Sequence, residues 1–163
     1  MYSRFTPKKT LDSVHSLDLD ELSRMGIRGI IFDIDNTLES HRTPLPGKET
    51  TDFLVRAREA GFTVCLISNG KRERVARFNE LLRLPAVGKA QKPRKKNLRR
   101  AMRLLGTTPA ETALVGDQLF TDIYGGNRMG FYTVLVEPIE QIENKFFYIK
   151  RFFERLILKK IKE

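Results

Sequence analysis

The sequence predicts an α/β protein in which helices cover both faces of a five-stranded parallel sheet. Short apolar runs rich in β-branched and aromatic residues alternate with helical patterns along most of the chain. The run 29–32, Gly-Ile-Ile-Phe, lacks polar alternation and is therefore typical of a strand buried on both faces. A length of 163 residues suits one domain with a substantial core. These observations predict a three-layer sandwich of helices, sheet and helices.

The predicted elements follow one another in a regular order. Residues 1–17 predict an irregular arm, and residues 18–25 predict a short helix with Asp18 as its N-cap. The predicted strands are apolar runs that end in polar loops, at 28–33, 62–67, 86–90, 113–115 and 132–136. The predicted helices are amphipathic segments bounded by glycine or proline, at 49–60, 72–84, 95–105 and 121–129. Strands separated by helices require crossover connections, which make the sheet parallel.

Charge and cysteine content narrow the classes of function. Lys plus Arg number 30 against 20 for Asp plus Glu, and the net charge of +10 favours anionic partners: nucleic acid, an anionic membrane or phosphorylated substrates. Cys65 is the only cysteine, which excludes an internal disulfide and a cysteine-based zinc site. Because it lies in the apolar run 62–67, we expect a buried, inert thiol. No stretch suits a membrane span or a signal-peptide core, so a cytoplasmic location is expected.

Two carboxylates follow the first predicted strand. Side chains at i and i+2 of an extended segment point the same way, so Asp33 and Asp35 can face one reacting centre. Burying two such charges is costly unless a cation or a functional need compensates for it. The five residues 33–37 alone leave a second interpretation open, a solvated turn that caps the next helix.

Polar residues also follow three further strands. The residues at the four strand ends are Asp33 and Asp35, Ser68 and Asn69, Lys92, and Asp117 and Asp122. Because the carboxyl ends of parallel strands share one edge of the sheet, these side chains are expected to converge. They offer carboxylates for a divalent cation, a hydroxyl, an amide and one ammonium. That set suits phosphoryl transfer, which needs an in-line nucleophile and neutralised phosphoryl oxygens.

With these four motifs the sequence resembles the haloacid dehalogenase (HAD) superfamily of phosphatases, subfamily IIIA, over roughly residues 27–137. The resemblance implies a Rossmann-like fold. It also implies that Asp33 is the nucleophile and Asp35 the general acid/base, and that the phosphoryl group is bound by Ser68, Asn69 and Lys92. Mg²⁺ is the implied cofactor. Its ligands would be Asp33, Asp117 and the backbone carbonyl of Asp35, with Thr37 and Asp122 in support.

The segments that follow Asp35 and Ser68 are too short for the cap domains that many relatives carry. Only the loop 39–47 and the segment 72–90 are available. A site without a cap is open, which favours a substrate presented on something large.

Within the superfamily, the run 116–123 and the motifs at 32–38, 68–69 and 92–93 resemble the YqeG-like group, which is related to phosphatidylglycerophosphate phosphatases. The resemblance implies removal of the phosphate from phosphatidylglycerophosphate. The sequence leaves open the acyl-chain preference, the oligomeric state and whether the natural substrate is instead a soluble phosphate ester.

The C-terminal segment 138–163 is expected to extend a phosphatase domain formed by residues 1–137. Residues 144–163 predict a basic amphipathic helix whose apolar side carries Phe146, Ile149, Phe152, Phe153, Leu156, Ile157 and Ile161. Such a helix can lie in an anionic membrane interface, here the inner face of the cytoplasmic membrane. It can equally pack on the sheet with its basic side in solvent.

The sequence leaves two other functions open. The charge and the open site would suit a phosphatase of polynucleotide ends, although no nucleic-acid-binding module is recognisable. A non-catalytic binding protein with the same fold is the third possibility, and the intact acids at 33, 35 and 117 argue against it. The loop residue His41 is expected to have no special role.

Overall fold

The computed structural model describes residues 3–140 and 145–162, and the side chains of 3–140 and 150–161. Asn144 and the side chains of Phe146 and Ile149, which belong to the predicted C-terminal helix, lie outside the described residues. Six strands form one parallel sheet in the order β1-β6-β5-β2-β3-β4 within the described part of the chain. They are β1 Lys9–Leu11, β2 Gly29–Asp33, β3 Thr63–Ile67, β4 Ala86–Val87, β5 Thr112–Gly116 and β6 Tyr132–Val136.

Six α-helices accompany these strands in the described residues. They are α1 Leu19–Arg24, α2 Lys48–Glu59, α3 Arg72–Phe78, α4 Lys95–Leu105, α5 Tyr124–Met129 and α6 Lys145–Lys162. A π-helical turn, Leu119–Ile123, leads directly into α5. The predicted cap of α1 is confirmed, because the Asp18 side chain accepts a hydrogen bond from the Glu21 amide at 2.9 Å.

Helices cover both faces of the sheet. Strand β2 is buried along its whole length, and its side chains alternate between two apolar clusters. Ile30 and Phe32 join the cluster that includes α2 and α3, while Ile31 joins the cluster that includes α4. The predicted three-layer arrangement is therefore confirmed.

The sheet has one strand more than predicted. The extra strand, β1, lies in the segment that was expected to be an irregular arm, and it pairs in parallel with β6 from Lys9 opposite Val134 to Leu11 opposite Val136. Three residues, two of them polar, give no strand signal of their own. The pairing is stabilised by tertiary contacts, in which the Asn127 side-chain amide donates to the carbonyls of Arg4 and Thr6 at 2.9 Å each.

The predicted third helix and third strand are both shorter than expected. Helix α3 ends at Phe78, and the chain turns through Arg83, whose φ of 52° is left-handed. The Asn79 side chain closes this turn, since it donates to the Leu84 carbonyl at 2.6 Å and accepts from the Leu84 amide at 3.0 Å. Leu81, which lies beyond the end of the shortened helix, is 79% exposed. The expected absence of a cap domain is confirmed for the described segments after β2 and β3. None of the described helices has the length and apolar character needed to cross a membrane.

Candidate active site

A buried ammonium joins two carboxylates at the carboxyl edge of the sheet. Lys92 Nζ lies 2.6 Å from Asp33 Oδ1 and 2.6 Å from Asp122 Oδ1, and all three side chains are almost fully buried. The Thr37 hydroxyl donates to Asp33 Oδ2 at 3.0 Å and lies 3.4 Å from Asp117 Oδ1. Three of the four loops that were predicted to converge are in contact here.

Tight turns place these side chains. Asp33 is the last residue of β2, and the amides of Thr37, Leu38 and Glu39 all donate to the Ile34 carbonyl, which folds the chain back over the strand. Asn36 adopts a left-handed φ of 61° in this turn, a conformation that Asn tolerates better than most residues.

Gly116 leaves the space that Asp122 occupies. A Cβ built on Gly116 would lie 2.3 Å from the carboxylate carbon of Asp122, far closer than van der Waals contact allows. Asp122 is held there by Lys92 at Oδ1 and by the Gln118 amide, 3.1 Å from Oδ2. Because both Asp122 oxygens already have partners, this residue orients Lys92.

Asp35 lies at the more open side of the cluster. Its side chain is 30% exposed, whereas that of Asp33 is 7% exposed. Ser68 Oγ donates to Asp35 Oδ2 at 2.9 Å, and Arg74 Nη2 lies 3.2 Å from Asp35 Oδ1. Asp35 is therefore accessible to solvent beside the buried Asp33.

Asn69 holds the backbone of Lys92. Its Nδ2 donates to the Lys92 carbonyl at 3.2 Å, and its Oδ1 accepts from the Lys92 amide at 2.7 Å. The side chain thus fixes the loop that carries the buried ammonium. A direct contact between Asn69 and a phosphoryl group stays a prediction.

Burial dominates the electrostatics of the acidic residues. It raises the pKa of Asp33 to about 7, with Lys92 opposing the shift and Asp122 and Asp35 adding to it. Burial likewise raises the pKa of Asp117 well above its ordinary value. Burial would lower the pKa of the Lys92 ammonium, but Asp122 and Asp33 outweigh this effect and raise it. Lys92 is therefore charged at neutral pH.

The acidic cluster fits a divalent cation. Carboxylate oxygens of Asp33, Asp117 and Asp122 lie within 4.8 Å of one another, and all three residues are buried. Ion pairs in the described residues join Asp33, Asp35, Asp117, Asp122 and Glu154 to only three cations, Lys92, Arg74 and Arg151. One divalent cation would neutralise the remaining two negative charges, and hard carboxylate oxygens are the ligands that Mg²⁺ prefers.

Three residues of this network were missed by the sequence analysis: Arg74, Arg151 and Glu154. Arg74 lies in the first turn of α3, where a positive charge is unfavourable to the helix dipole. This unfavourable position was a sequence signal that could have identified Arg74 as a candidate site residue. Arg151 and Glu154 lie on α6, far along the chain, and no local pattern relates them to Asp117.

His41 and Cys65 lie outside the cluster. His41 Nδ1 is 3.8 Å from Glu140 Oε2. Burial raises the pKa of the Cys65 thiol to about 12, which agrees with the inert thiol that was expected.

Comparisons with known proteins place the chain among phosphatases. A family model described as HAD-hydrolase-like matches residues 89–138. The chain is 33% identical over 158 residues to the probable phosphatase YqeG of Bacillus subtilis (strain 168), covering 97% of this chain and 92% of that protein.

A second relative is the chloroplastic/mitochondrial phosphatidylglycerophosphate phosphatase 1 of Arabidopsis thaliana. It is 33% identical over 160 residues, which cover 86% of this chain and 43% of the plant protein. Among solved structures, an HAD phosphatase from Thermococcus onnurineus superposes with a TM-score of 0.58 at 15% identity, covering 72% of this chain and 90% of that one. At this identity the likeness concerns the fold.

Proposed function

The chain belongs to the haloacid dehalogenase superfamily of phosphatases, in the family of YqeG, and we propose that it hydrolyses phosphate monoesters through a phosphoryl group held covalently on Asp33. The observation that carries the proposal is the pairing of Asp33 with the buried Lys92 ammonium at the carboxyl edge of the sheet. Burial raises the pKa of Asp33 to about 7 even though Lys92 opposes the shift, and the more basic carboxylate oxygen is the stronger nucleophile once the proton has left.

The two half-reactions divide between Asp33 and Asp35. A carboxylate oxygen of Asp33 attacks phosphorus, the bond to the alkoxide breaks, and Asp35 donates the proton that the alkoxide needs. Asp35 then takes a proton from water as the water oxygen attacks phosphorus, which releases inorganic phosphate and restores Asp33. The greater exposure of Asp35 supports this assignment, because both the leaving group and the water approach from the open side.

The Lys92 ammonium would neutralise charge on the phosphoryl oxygens, and the Ser68 hydroxyl, which contacts Asp35, would donate a hydrogen bond to them. Mg²⁺, held by Asp33, Asp117 and the backbone carbonyl of Asp35, would supply further neutralisation of the phosphoryl oxygens. Thr37 keeps Asp33 and Asp117 facing each other, and Asp122 keeps Lys92 in place.

The substrate we propose is phosphatidylglycerophosphate, dephosphorylated at a membrane surface. The name of the Arabidopsis relative supports the choice, as does the open site without a cap. A further observation comes from α6, which packs on the domain through Ile157 and Leu158 and turns other apolar side chains outward. These are Phe152, Phe153 and Leu156, which are 60%, 53% and 42% exposed.

The outward face of α6 suits anionic lipid. Exposed Lys159 and Lys160 follow its aromatic residues along the helix. Apolar burial and attraction to anionic headgroups then act together, at about 1 kcal/mol for each basic residue near the surface.

The test is phosphate release from phosphatidylglycerophosphate in mixed micelles, with Mg²⁺ and then with EDTA. We expect release that needs the cation and is absent in Asp33→Asn. Turnover of a generic aryl phosphate without turnover of the lipid would retain the chemistry and reject the substrate. Turnover of 5′- or 3′-phosphorylated oligonucleotides instead would favour the alternative, a phosphatase of polynucleotide ends.

Lipid binding is tested separately by vesicle flotation. We expect the protein to float with vesicles rich in phosphatidylglycerol and not with phosphatidylcholine alone, and the double variant Phe152→Ser, Phe153→Ser to float much less. Leu81→Ser is the control, since it removes an exposed apolar side chain from another part of the surface. Equal flotation of the double variant and the parent would reject α6 as the lipid-facing surface.

A further inference from the structure

Residues 150–154 of α6 form hydrogen bonds to the loop that carries Asp117. The guanidinium of Arg151 donates through Nη1 to the Asp117 carbonyl at 3.0 Å and through Nη2 to Asp117 Oδ2 at 2.9 Å. Glu154 Oε1 accepts from the Leu119 amide at 3.1 Å, and Lys150 Nζ donates to Gln118 Oε1 at 2.6 Å. Three successive loop residues are thus tied to residues 150–154.

The hydrogen bonds from Arg151 fix the orientation of the Asp117 carboxylate. Arg151 holds Oδ2, while Oδ1 lies 3.4 Å from the Thr37 hydroxyl that also binds Asp33. A guanidinium that binds both the side chain and the carbonyl of one residue restrains its rotation, because the planar fork has a fixed geometry. The oxygen beside the Thr37 hydroxyl, Oδ1, is thus the one that Arg151 does not bind.

Arg151 is itself held in place. Its Nη1 lies 3.1 Å from Glu154 Oε2, and Glu154 is buried. The two residues are three positions apart on one helix face, so the helix presents them as a unit. The Arg151 side chain is 19% exposed, which limits the conformations open to it.

We propose that Arg151 is a positioning residue that orients Asp117 for the divalent cation, so that α6 is part of the active site. The inference rests on the proposed function, in which Asp117 is a metal ligand. Hydrogen-bonded partners of metal-ligating carboxylates commonly contribute 10- to 100-fold to metal affinity. Because Arg151 binds Oδ2 and Oδ1 lies beside Thr37, Oδ1 would remain available to the cation.

The experiment measures binding of Mn²⁺ to the full chain without substrate, by the EPR signal of free Mn²⁺. We expect Arg151→Gln to weaken binding about tenfold or more, and Arg151→Lys to weaken it less, since one ammonium can replace some of these hydrogen bonds. Arg155→Gln is the matched control, because it removes the same charge from an exposed position on the same helix and should bind as the parent does.

Thermal unfolding of each variant separates loss of folding from loss of the contact, and Arg151→Lys decides the question if Arg151→Gln does not fold. Binding by folded Arg151→Gln that equals or exceeds that of the parent would overturn the proposal. Asp117→Asn provides the reference for the proposed function. If it binds Mn²⁺ as tightly as the parent, the ligand assignment itself fails, and the role of Arg151 fails with it.

Discussion

A buried lysine between two carboxylates sets the chemistry at the scale of single residues. Lys92 contacts Asp33 and Asp122 at equal distances, yet the acids outnumber the cations around it. The pKa of Asp33 therefore stays raised to about 7 despite its ion pair, because burial outweighs the contribution of Lys92. A divalent cation would be drawn to the same excess of negative charge.

The raised pKa gives a prediction about stability and pH. In the metal-free protein, burial raises the pKa of folded Asp33 to about 7, so that its carboxyl holds a proton up to that pH, whereas in the unfolded chain the carboxyl has its ordinary pKa of 3.8. The folded state thus binds more protons within this window, and its stability falls as pH rises through it. We expect a lower Tm at about pH 8 than at about pH 5, and a larger gain in Tm from Mg²⁺ at about pH 8, where fewer protons compete with the cation.

Asp33→Asn is the control for this measurement, because it removes the titrating carboxyl. Its Tm should depend less on pH between the same two conditions. A metal-free parent whose Tm rises between them would contradict the assigned direction.

Gly116 gives a second prediction at this scale. In Gly116→Ala the new Cβ would force the Asp122 carboxylate to move and Lys92 with it, since no Cβ can lie 2.3 Å from that group. A displacement of about 1 Å at a catalytic group can reduce turnover about 100-fold. We expect a loss of that order in kcat for an aryl phosphate. Gly47→Ala, where φ is −73° and the nearest atom belongs to the Glu39 side chain, should retain activity; equal activity of both variants would contradict the account.

The site residues that were predicted lie next to a recognisable sequence pattern, whereas the residues that were missed do not. Asp33 and Ser68 follow apolar runs directly, Asp117 follows one after Gly116, and Lys92 comes two residues after the predicted third strand. Strand prediction was therefore enough to bring these residues together. Arg151 and Asp117 are 34 positions apart in the sequence, and their contact depends on how α6 docks on the domain. Periodicity shows which residues share a helix face, but it does not show which face meets the domain.

At the scale of elements, burial decided which predictions succeeded. Strand β6 and helix α4 occupy the predicted residues because their apolar patterns are long and regular. The edge strand β1 was missed because its three residues gain their order from β6 and from Asn127. Helix α3 is shorter than predicted because Asn79 offers the chain a competing turn.

Asn127 supplies the prediction that belongs to this scale. Its amide donates to two carbonyls of the N-terminal segment, and its Oδ1 accepts from the Thr133 hydroxyl at 2.8 Å. Asn127→Ala should lower the free energy of unfolding by about 1–3 kcal/mol, because the buried hydroxyl and the carbonyls lose partners. Urea denaturation measures the change. Arg4→Ala, which keeps the carbonyl, should have little effect; an unchanged midpoint for Asn127→Ala would show that β1 is held by other contacts.

At the scale of the whole molecule, α6 has two faces with different roles. Its inner face, with Arg151 and Glu154, contacts the loop of the active site, and its outer face presents Phe152 and Phe153. The sequence predicted an amphipathic helix and left open whether its apolar side packs inward. The structure divides that side, with Ile157 packed inward and Phe152, Phe153 and Leu156 outward. Catalysis and attachment to a lipid surface would then share one element.

The most direct test of the central claim is to trap the phosphoryl group on Asp33. Asp35→Asn should still react with an aryl phosphate whose leaving group departs without a proton, but it lacks the base for the second half-reaction. After acid quenching, we expect peptide mapping by mass spectrometry to find the phosphoryl group on Asp33, and none in the double variant Asp33→Asn, Asp35→Asn. A phosphoryl group on another residue, or turnover that persists in Asp33→Asn, would contradict the account.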